Sequence, residues 1–202
     1  MKKMIFPVLF ISLIITFLSA GCSQVSKPPD DLSYLKFRNP AEVDNSKLPV
    51  TYVNQLHTTT AGTPPAINID EYRLNIDGLV TNPLTLTYEQ LLDYPKITKK
   101  VLLICPQVFA DNAVWTGVSL KMLLDQAGVK PGTPLVVFDG ADGYVNSMHY
   151  ADLQPDNVFL AYWVNGQALP AKNGYPLRVV MVGQYGSLWV KWLNHIELKI
   201  TY

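Results

Sequence analysis

The chain has 202 residues, and its 16 basic and 16 acidic side chains give a formal net charge of zero at pH 7. Its lysines and arginines form no block or stripe, so the charge pattern gives no support for nucleic-acid binding. Hydrophobic residues make up 49% of the chain, which is enough to bury the core of one domain of this length.

The first 22 residues have the pattern of an export signal. Lys2 and Lys3 precede an apolar run from Ile5 to Leu18, which leads into Ser19-Ala20-Gly21-Cys22. Small residues before a cysteine mark a cleavage site, and this ending resembles a bacterial lipobox. Residues 1–22 are therefore predicted to be a lipoprotein signal peptide. Lipid on Cys22 would hold the mature protein on the extracytoplasmic side of the bacterial membrane; the alternative is an ordinary secretory peptide cleaved nearby.

The chain contains two cysteines, Cys22 and Cys105. If Cys22 carries lipid, Cys105 has no partner for an intramolecular disulfide. A lone thiol in an exported protein is a small buried hydrophobe, a reactive thiol or a metal ligand. Composition alone leaves these three readings open.

Residues 23–69 are predicted to be a tether followed by an ordered but irregular segment. The polar stretch around Pro28-Pro29 and the breakers Thr58-Thr59-Thr60 and Pro64-Pro65 interrupt any regular pattern. The folded domain is predicted to occupy residues 70–202.

A strand and a short helix are predicted at the start of this domain. Apolar and polar residues alternate over residues 72–77 and end at Gly78, which is the period of a half-buried strand. Thr87 and Gln90 have the spacing of a capping box, and Pro95 prevents a longer helix.

The next strand leads directly to the lone cysteine of the domain. Residues 101–104 are apolar on both faces, as in a strand covered on both sides, and Cys105 follows them. A second helix is predicted over residues 120–127, with Ser119 as its N-cap and Gly128 as its C-terminal stop.

The rest of the chain is predicted to be mainly strands, at residues 135–138, 158–164, 177–182 and 196–201. Asn165-Gly166 is a strong signal for a hairpin turn. Several strands with two short helices indicate an α+β domain.

A thiol-based reaction would need a histidine near Cys105. His195 lies in the last strand pattern and is predicted to be structural. His149 is predicted to lie in a loop and remains a candidate partner, although no motif links it to Cys105.

Five motifs follow one another in the order found in the sulfite oxidase family. They are Val101–Cys105 with Val114–Leu120, Asp139–Tyr144, Leu160–Gly166, Asn173–Arg178 and Trp189–Trp192. Residues 37–40, Phe-Arg-Asn-Pro, also resemble the Arg-Asn-His loop of that family. The chain thus resembles the molybdopterin-binding domain of the sulfite oxidase family. The resemblance implies an α+β fold with a mixed, barrel-like β-sheet core and short helices.

The resemblance also implies a molybdopterin cofactor with Cys105 as the molybdenum ligand, which suits the soft character of a thiolate. Cys105 and Tyr144 are the implied catalytic residues. Arg178 and Lys191 would bind the phosphate of the cofactor, and Asp142 would accept hydrogen bonds from the pterin. The other implied cofactor contacts are Asn39, Asn173, Trp189 and Val190.

Two departures from the family pattern bear on function. Asn173 replaces a histidine, and no arginine lies between Cys105 and Arg178. Sulfite-oxidising members bind their anionic substrate with several arginines, so a neutral sulfoxide-like substrate is expected instead. The sequence shows no haem motif or second redox centre, so a separate electron-transfer partner is expected.

The signal segment leaves an alternative open. Lys2-Lys3 stands where exported molybdenum enzymes usually carry a twin-arginine pair. Either the folded protein is exported with a degenerate signal, or the domain is a cofactor-free binding module on the same scaffold.

Overall fold

A computed structural model describes residues 31–60 and 63–201. The predicted signal peptide and Cys22 lie outside these residues. Within the described residues, ten strands form two β-sheets, and two α-helices lie between strands along the chain. The helices are α1 (Tyr88–Asp93) and α2 (Leu120–Ala127). Within the described residues, no helix is both long and apolar enough to cross a bilayer.

The first sheet combines parallel and antiparallel strands. Its members are β1 (Leu74–Gly78), β2 (Leu84–Leu86), β5 (Leu135–Gly140), β6 (Val145–His149) and β10 (Leu193–Lys199). They are ordered β2-β1-β10-β5-β6. β1 and β10 run parallel, with Ile76 beside Ile196, while the other neighbours are antiparallel.

The second sheet is built on a long hairpin. Its members are β3 (Lys96–Cys105), β4 (Phe109–Ser119), β7 (Val158–Val164), β8 (Gln167–Ala168) and β9 (Arg178–Met181). Their order is β3-β4-β7-β8, and β9 also pairs with β7. The β3–β4 ladder ends with Cys105 opposite Phe109. Cys105 is therefore held at a hairpin turn, where Gln107 has a positive φ of 64°.

Both predicted helices are confirmed, together with their caps. Thr87 and Gln90 form the two reciprocal bonds of a capping box at α1. Ser119 caps the first turn of α2, and Gly128 ends it in a left-handed conformation with φ of 69°. The apolar face of α2 is buried against the strands.

The segment that leads to Cys105 is covered on both faces, as its apolar pattern predicts. Val101 and Leu103 belong to the main core between the sheets. Leu102 and Ile104 face the other way and pack against Leu32 and its neighbours. Leu32 directly precedes a 3-10 helix at residues 33–37. The segment before residue 70 therefore packs against the sheets instead of standing apart from them.

The fold class is confirmed as α+β, but the sequence did not predict several of the strands. The structure adds β2, β4, β6 and the short β8 to the predicted set. His149 was predicted to lie in a loop; it is instead the last residue of β6, paired with Leu135. The Asn165-Gly166 turn is confirmed, with positive φ at both residues.

Candidate functional site

A cleft of about 510 Å³ opens beside the β3–β4 hairpin. Four parts of the chain line it: residues 57–60, the hairpin at Cys105 and Phe109, the loop of residues 142–144, and the loops around β9 and β10. These parts are distant along the chain, and the two sheets bring them together.

Cys105 lies on one wall of the cleft. It is the one cysteine among the described residues, its thiol is free and it is partly buried. Thr59 places its hydroxyl 3.9 Å from the Cys105 sulfur. The hairpin turn is closed by a bond from the Val108 N–H to the Cys105 carbonyl at 3.0 Å. A rigid turn thus presents an available sulfur to the cleft.

Arg178 brings a buried positive charge to the cleft. Only 3% of this residue is exposed, and its guanidinium lies over the rings of Trp115 and Trp189. Nη1 donates to the Asn173 carbonyl at 3.0 Å and Nη2 to the Trp189 carbonyl at 3.5 Å. Nε is buried without a partner. Burial lowers the pKa of Arg178 to about 9 because it disfavours the charged form.

Lys191 places a second cation on the same cleft. Its amino group donates to the Thr58 hydroxyl and the Thr59 carbonyl, each at 2.7 Å. Burial, followed by the charge of Arg178, lowers the pKa of Lys191 to about 8. Among the described residues, no carboxylate forms a salt bridge with either cation. Two neighbouring cations that repel each other make a favourable site for an anion.

Asp142 and Tyr144 form one rim of the cleft. The Tyr144 N–H donates to the Asp142 carboxylate at 3.1 Å, and the Tyr144 hydroxyl donates to the Ser187 carbonyl at 2.9 Å. Tyr144 therefore links its loop to the 3-10 helix at residues 186–188. Its ring is 45% exposed, so it is available to a ligand.

Gly140 leaves room for this rim. A Cβ at this position would lie 2.5 Å from the Lys191 carbonyl oxygen and 2.7 Å from the Asp142 carboxylate. The absence of a side chain thus lets the Asp142 loop approach the backbone of Lys191 closely.

Three residues implied by the family resemblance do not line the cleft. Asn39 caps the 3-10 helix of residues 40–42 with its side chain, and this local role keeps it away from the cleft. Val190 is completely buried, and its backbone N–H and carbonyl are bonded within the protein. Asn173 is also buried, but it supports the cleft wall indirectly.

Asn173 connects two residues that do line the cleft. Its amide nitrogen donates to the His57 carbonyl at 3.0 Å, and its own carbonyl accepts from Arg178. Its side-chain oxygen is buried without a partner. Trp189, the remaining implied contact, does line the cleft.

The sequence did not predict a role for His57, which lines the cleft, or for Asp111, which contacts His57 from outside the cleft lining. His57 lines the cleft and is hydrogen bonded to the buried carboxylate of Asp111. The resemblance of residues 37–40 to an Arg-Asn-His loop predicted a cofactor contact at Asn39, which caps a 3-10 helix in the structure. The available signal was a histidine directly before the polar run Thr58-Thr59-Thr60.

The other two histidines, His149 and His195, do not line the cleft. His149 is absent from the residues lining the cleft, so the structure does not bring it to Cys105. His195 hydrogen bonds to Asp139 at 2.8 Å and to Asp77 at 2.9 Å. It joins β10 to both neighbouring strands, which confirms its predicted structural role.

Sequence comparison identifies one family over most of the chain. A family model described as an oxidoreductase molybdopterin binding domain matches residues 61–201. A nitrate reductase from Volvox carteri is 32% identical over 68% of this chain and 20% of its own length. A nitrate reductase from Fusarium oxysporum is 29% identical over 65% of this chain and 18% of its own length. The chain therefore spans about a fifth of these enzymes.

A relative of similar size and a solved structure add to this likeness. The uncharacterized oxidoreductase YuiH of Bacillus subtilis is 29% identical over 68% of this chain and 70% of its own length. The crystal structure of the sulfane dehydrogenase SoxCD from Paracoccus pantotrophus matches with a TM-score of 0.70 and 28% identity. That match covers 81% of this chain and 46% of the SoxCD chain.

Proposed function

The chain belongs to the oxidoreductase molybdopterin-binding domain family, and we propose that it is a molybdopterin-dependent oxidoreductase that transfers an oxygen atom to or from a small substrate. One observation carries the proposal: a free thiol lines the same cleft as two cations that form no salt bridge with a carboxylate of the described residues. Cys105 is the thiol, and Arg178 and Lys191 are the cations.

The chemistry of the cleft fits a phosphate-bearing metal cofactor. Thiolates are soft ligands that suit molybdenum, and Cys105 is positioned to supply one. The orphaned Nε of Arg178 and the amino group of Lys191 are available to an anionic phosphate. Asp142 is an acceptor for pterin N–H groups. When bound, molybdenum supplies two-electron redox chemistry coupled to oxygen-atom transfer.

The wall around Cys105 favours a neutral substrate. Leu103, Phe109 and the Thr59 hydroxyl lie there, while Arg178 and Lys191 are assigned to the cofactor phosphate. A sulfoxide-like oxygen donor therefore fits better than sulfite. Tyr144, with its exposed ring, is the proposed substrate-facing residue.

The proposal includes a cellular location and an electron-transfer partner for the enzyme. Lipid on Cys22 would hold the domain on the extracytoplasmic side of the membrane. Electrons would come from a separate electron-transfer protein. Replacing Cys22 with Ser should move the protein from the membrane to the soluble fraction; retention of the variant at the membrane would contradict lipid anchoring.

Metal and pterin analysis of the protein purified from its native host tests the main proposal. We expect about one molybdenum or tungsten atom per chain and a fluorescent pterin after oxidation. Cys105→Ser should lose activity with methyl phenyl sulfoxide, whereas Val108→Ser, in the same hairpin, should retain it. Folded native protein without metal or pterin would overturn the proposal and favour the cofactor-free binding module. Parallel assays with sulfite and nitrate test the choice of substrate.

A further inference from the structure

We propose that Asp111 is a positioning residue that holds His57 in its Nδ1–H tautomer, so that Nε2 of His57 carries a proton between solvent and the substrate in the cleft. The proton-carrying role depends on the proposed function. The assignment of the tautomer does not depend on the proposed function, because it concerns only residues of this chain.

Asp111 is dedicated to His57. It lies in β4 and only 1% of it is exposed. One carboxylate oxygen accepts the backbone N–H of His57 at 2.7 Å, and the other lies 3.0 Å from Nδ1 of the ring. Burying a carboxylate requires such compensation. Both hydrogen bonds described for the Asp111 side chain are therefore made with one residue, His57. A carboxylate with a purely structural role does not need both of its bonds to go to the same residue.

The two bonds determine which ring nitrogen carries hydrogen. An ionised carboxylate can only accept hydrogen bonds, so the nitrogen facing Asp111 must be Nδ1–H. The charge of Arg178 interacts with that of Asp111. In the neutral ring, Nε2 then has a free lone pair and is the nitrogen that exchanges a proton.

The ring is also held in place from other directions. Phe109 stacks on it with a centroid distance of 5.3 Å and an interplanar angle of 20°. Asn173 donates to the His57 backbone carbonyl. The ring nevertheless lines the cleft, and its side chain is 61% exposed. It is thus fixed in orientation and open to solvent, as a proton carrier requires.

Charged groups face His57 from several elements. Asp31 from the N-terminal segment interacts with it electrostatically, and Asp111 bonds to it from β4. Arg178 of β9 and Lys191, just before β10, share the cleft with it, as do the Cys105 thiol and the Asp142 carboxylate. Acidic and basic groups therefore both lie near the ring.

The proposed reaction consumes protons, and His57 is the residue that supplies one of them. Reducing a substrate XO to X and water consumes two electrons and two protons. The electrons come from the proposed electron-transfer partner. His57 donates one proton from Nε2 to the departing oxygen and then regains one from solvent. The second proton comes from bulk solvent, so the departing oxygen is released as water.

Nitrogen NMR on the full chain without cofactor tests the tautomer directly. With histidine labelled with nitrogen-15, at a pH where the ring is neutral, we expect Nδ1 of His57 to be protonated and Nε2 to be bare. Asp111→Asn should change this pattern, because an amide can donate to Nδ1. Asp139→Asn is the matched control, since it removes an Asp–His bond at His195 instead. A bare Nδ1 in the wild type, or an unchanged pattern in Asp111→Asn, would overturn the proposal.

A double-mutant experiment on the loaded enzyme tests the link between the two residues. We expect His57→Gln and Asp111→Asn each to lower kcat for methyl phenyl sulfoxide by about 10- to 100-fold and to alter its pH profile. The double variant should be no slower than the slower single variant, because Asp111 acts through His57. Asp139→Asn should keep the wild-type pH profile.

Multiplying effects would show that Asp111 acts independently of His57 and would contradict the proposal. If Asp111→Asn does not fold, His57→Gln remains decisive because its ring is largely exposed. An unchanged kcat in His57→Gln would then overturn the proposal. The metal content of the same samples separates this failure from failure of the proposed function.

Discussion

The guanidinium group of Arg178 lies 5.0 Å from the centre of the Trp115 ring. This contact stabilises a cation that has no carboxylate partner among the described residues. Trp189 packs against the same group at 5.6 Å and approaches Trp115 edge-on. Two indoles therefore hold the guanidinium at the cleft and leave its Nε for a ligand.

Arg178→Met should separate cofactor binding from folding. Methionine fills a similar apolar space but loses every donor. We expect molybdenum content to fall at least about tenfold, since a charge-assisted contact is lost. The Tm of the apoprotein should change by less than about 4 °C, because relief of the buried charge offsets the lost hydrogen bonds. Metal analysis and thermal unfolding check both expectations; normal metal content would contradict the phosphate role.

Lys191 should make anion binding sensitive to pH. Its pKa is lowered to about 8, so the positive charge is lost as the pH rises through that value. With sulfate as the probe and the apoprotein in the calorimeter, we expect affinity to fall about fourfold between pH 6.5 and 8.5. Lys191→Gln should bind sulfate weakly and show a smaller change. Wild-type affinity that stays constant over this range would show that Lys191 does not contact the anion.

Gly140→Ala should weaken sulfate binding in the cleft by more than its loss of stability alone would explain. The added Cβ would overlap the Lys191 carbonyl and the Asp142 carboxylate, so Lys191 must shift. We expect at least fivefold weaker sulfate binding and a loss of about 1–3 kcal/mol of stability. Gly132→Ala is the control: its Cβ meets nothing within 4 Å, although its φ is 79°. This control should lose stability but keep its affinity, and equal losses of affinity would contradict the expectation.

His195 should stabilise the first sheet most strongly at mildly acidic pH. Burial disfavours the charged ring, but bonds to Asp77 and Asp139 and their charges outweigh it, so the pKa of His195 is raised. A raised folded pKa gives stability that is complete below the unfolded pKa and is lost as the pH rises through the folded value. In urea unfolding, His195→Gln should therefore lose more stability at pH 6 than at pH 9. His149→Gln, at an exposed site, is the control; an equal loss at both pH values would contradict the ion-pair role.

Local signals predicted the helices and turns well. The caps at Thr87 and Gly128 and the turn at Asn165-Gly166 depend on residues only a few positions apart. The strand β4 could not be found in this way. Its polar residue Asn112 is buried and bonds to the carbonyls of Leu48 and Pro49, which lie far away along the chain. Such partners make a polar residue acceptable inside a strand, but no local pattern reveals them.

The same limit applies to the cleft. Ordered motifs pointed to Cys105, Asp142 and Arg178, which do line it. His57 and Asp111 are 54 positions apart, and nothing near either residue indicates that they meet. Their pairing depends on how the irregular N-terminal segment packs against β4. Sequence order therefore identified the parts of the cleft whose local motifs are distinctive, and missed the pair formed by tertiary packing.

The parallel pairing of β1 with β10 joins strands that are far apart in the described sequence. The long segment between them must close before this contact forms, and such long-range pairing is slow in folding. Lys191 lies two residues before β10 and reaches its place in the cleft only when that strand docks. The cleft is therefore expected to form late in folding, after the local hairpin at Cys105.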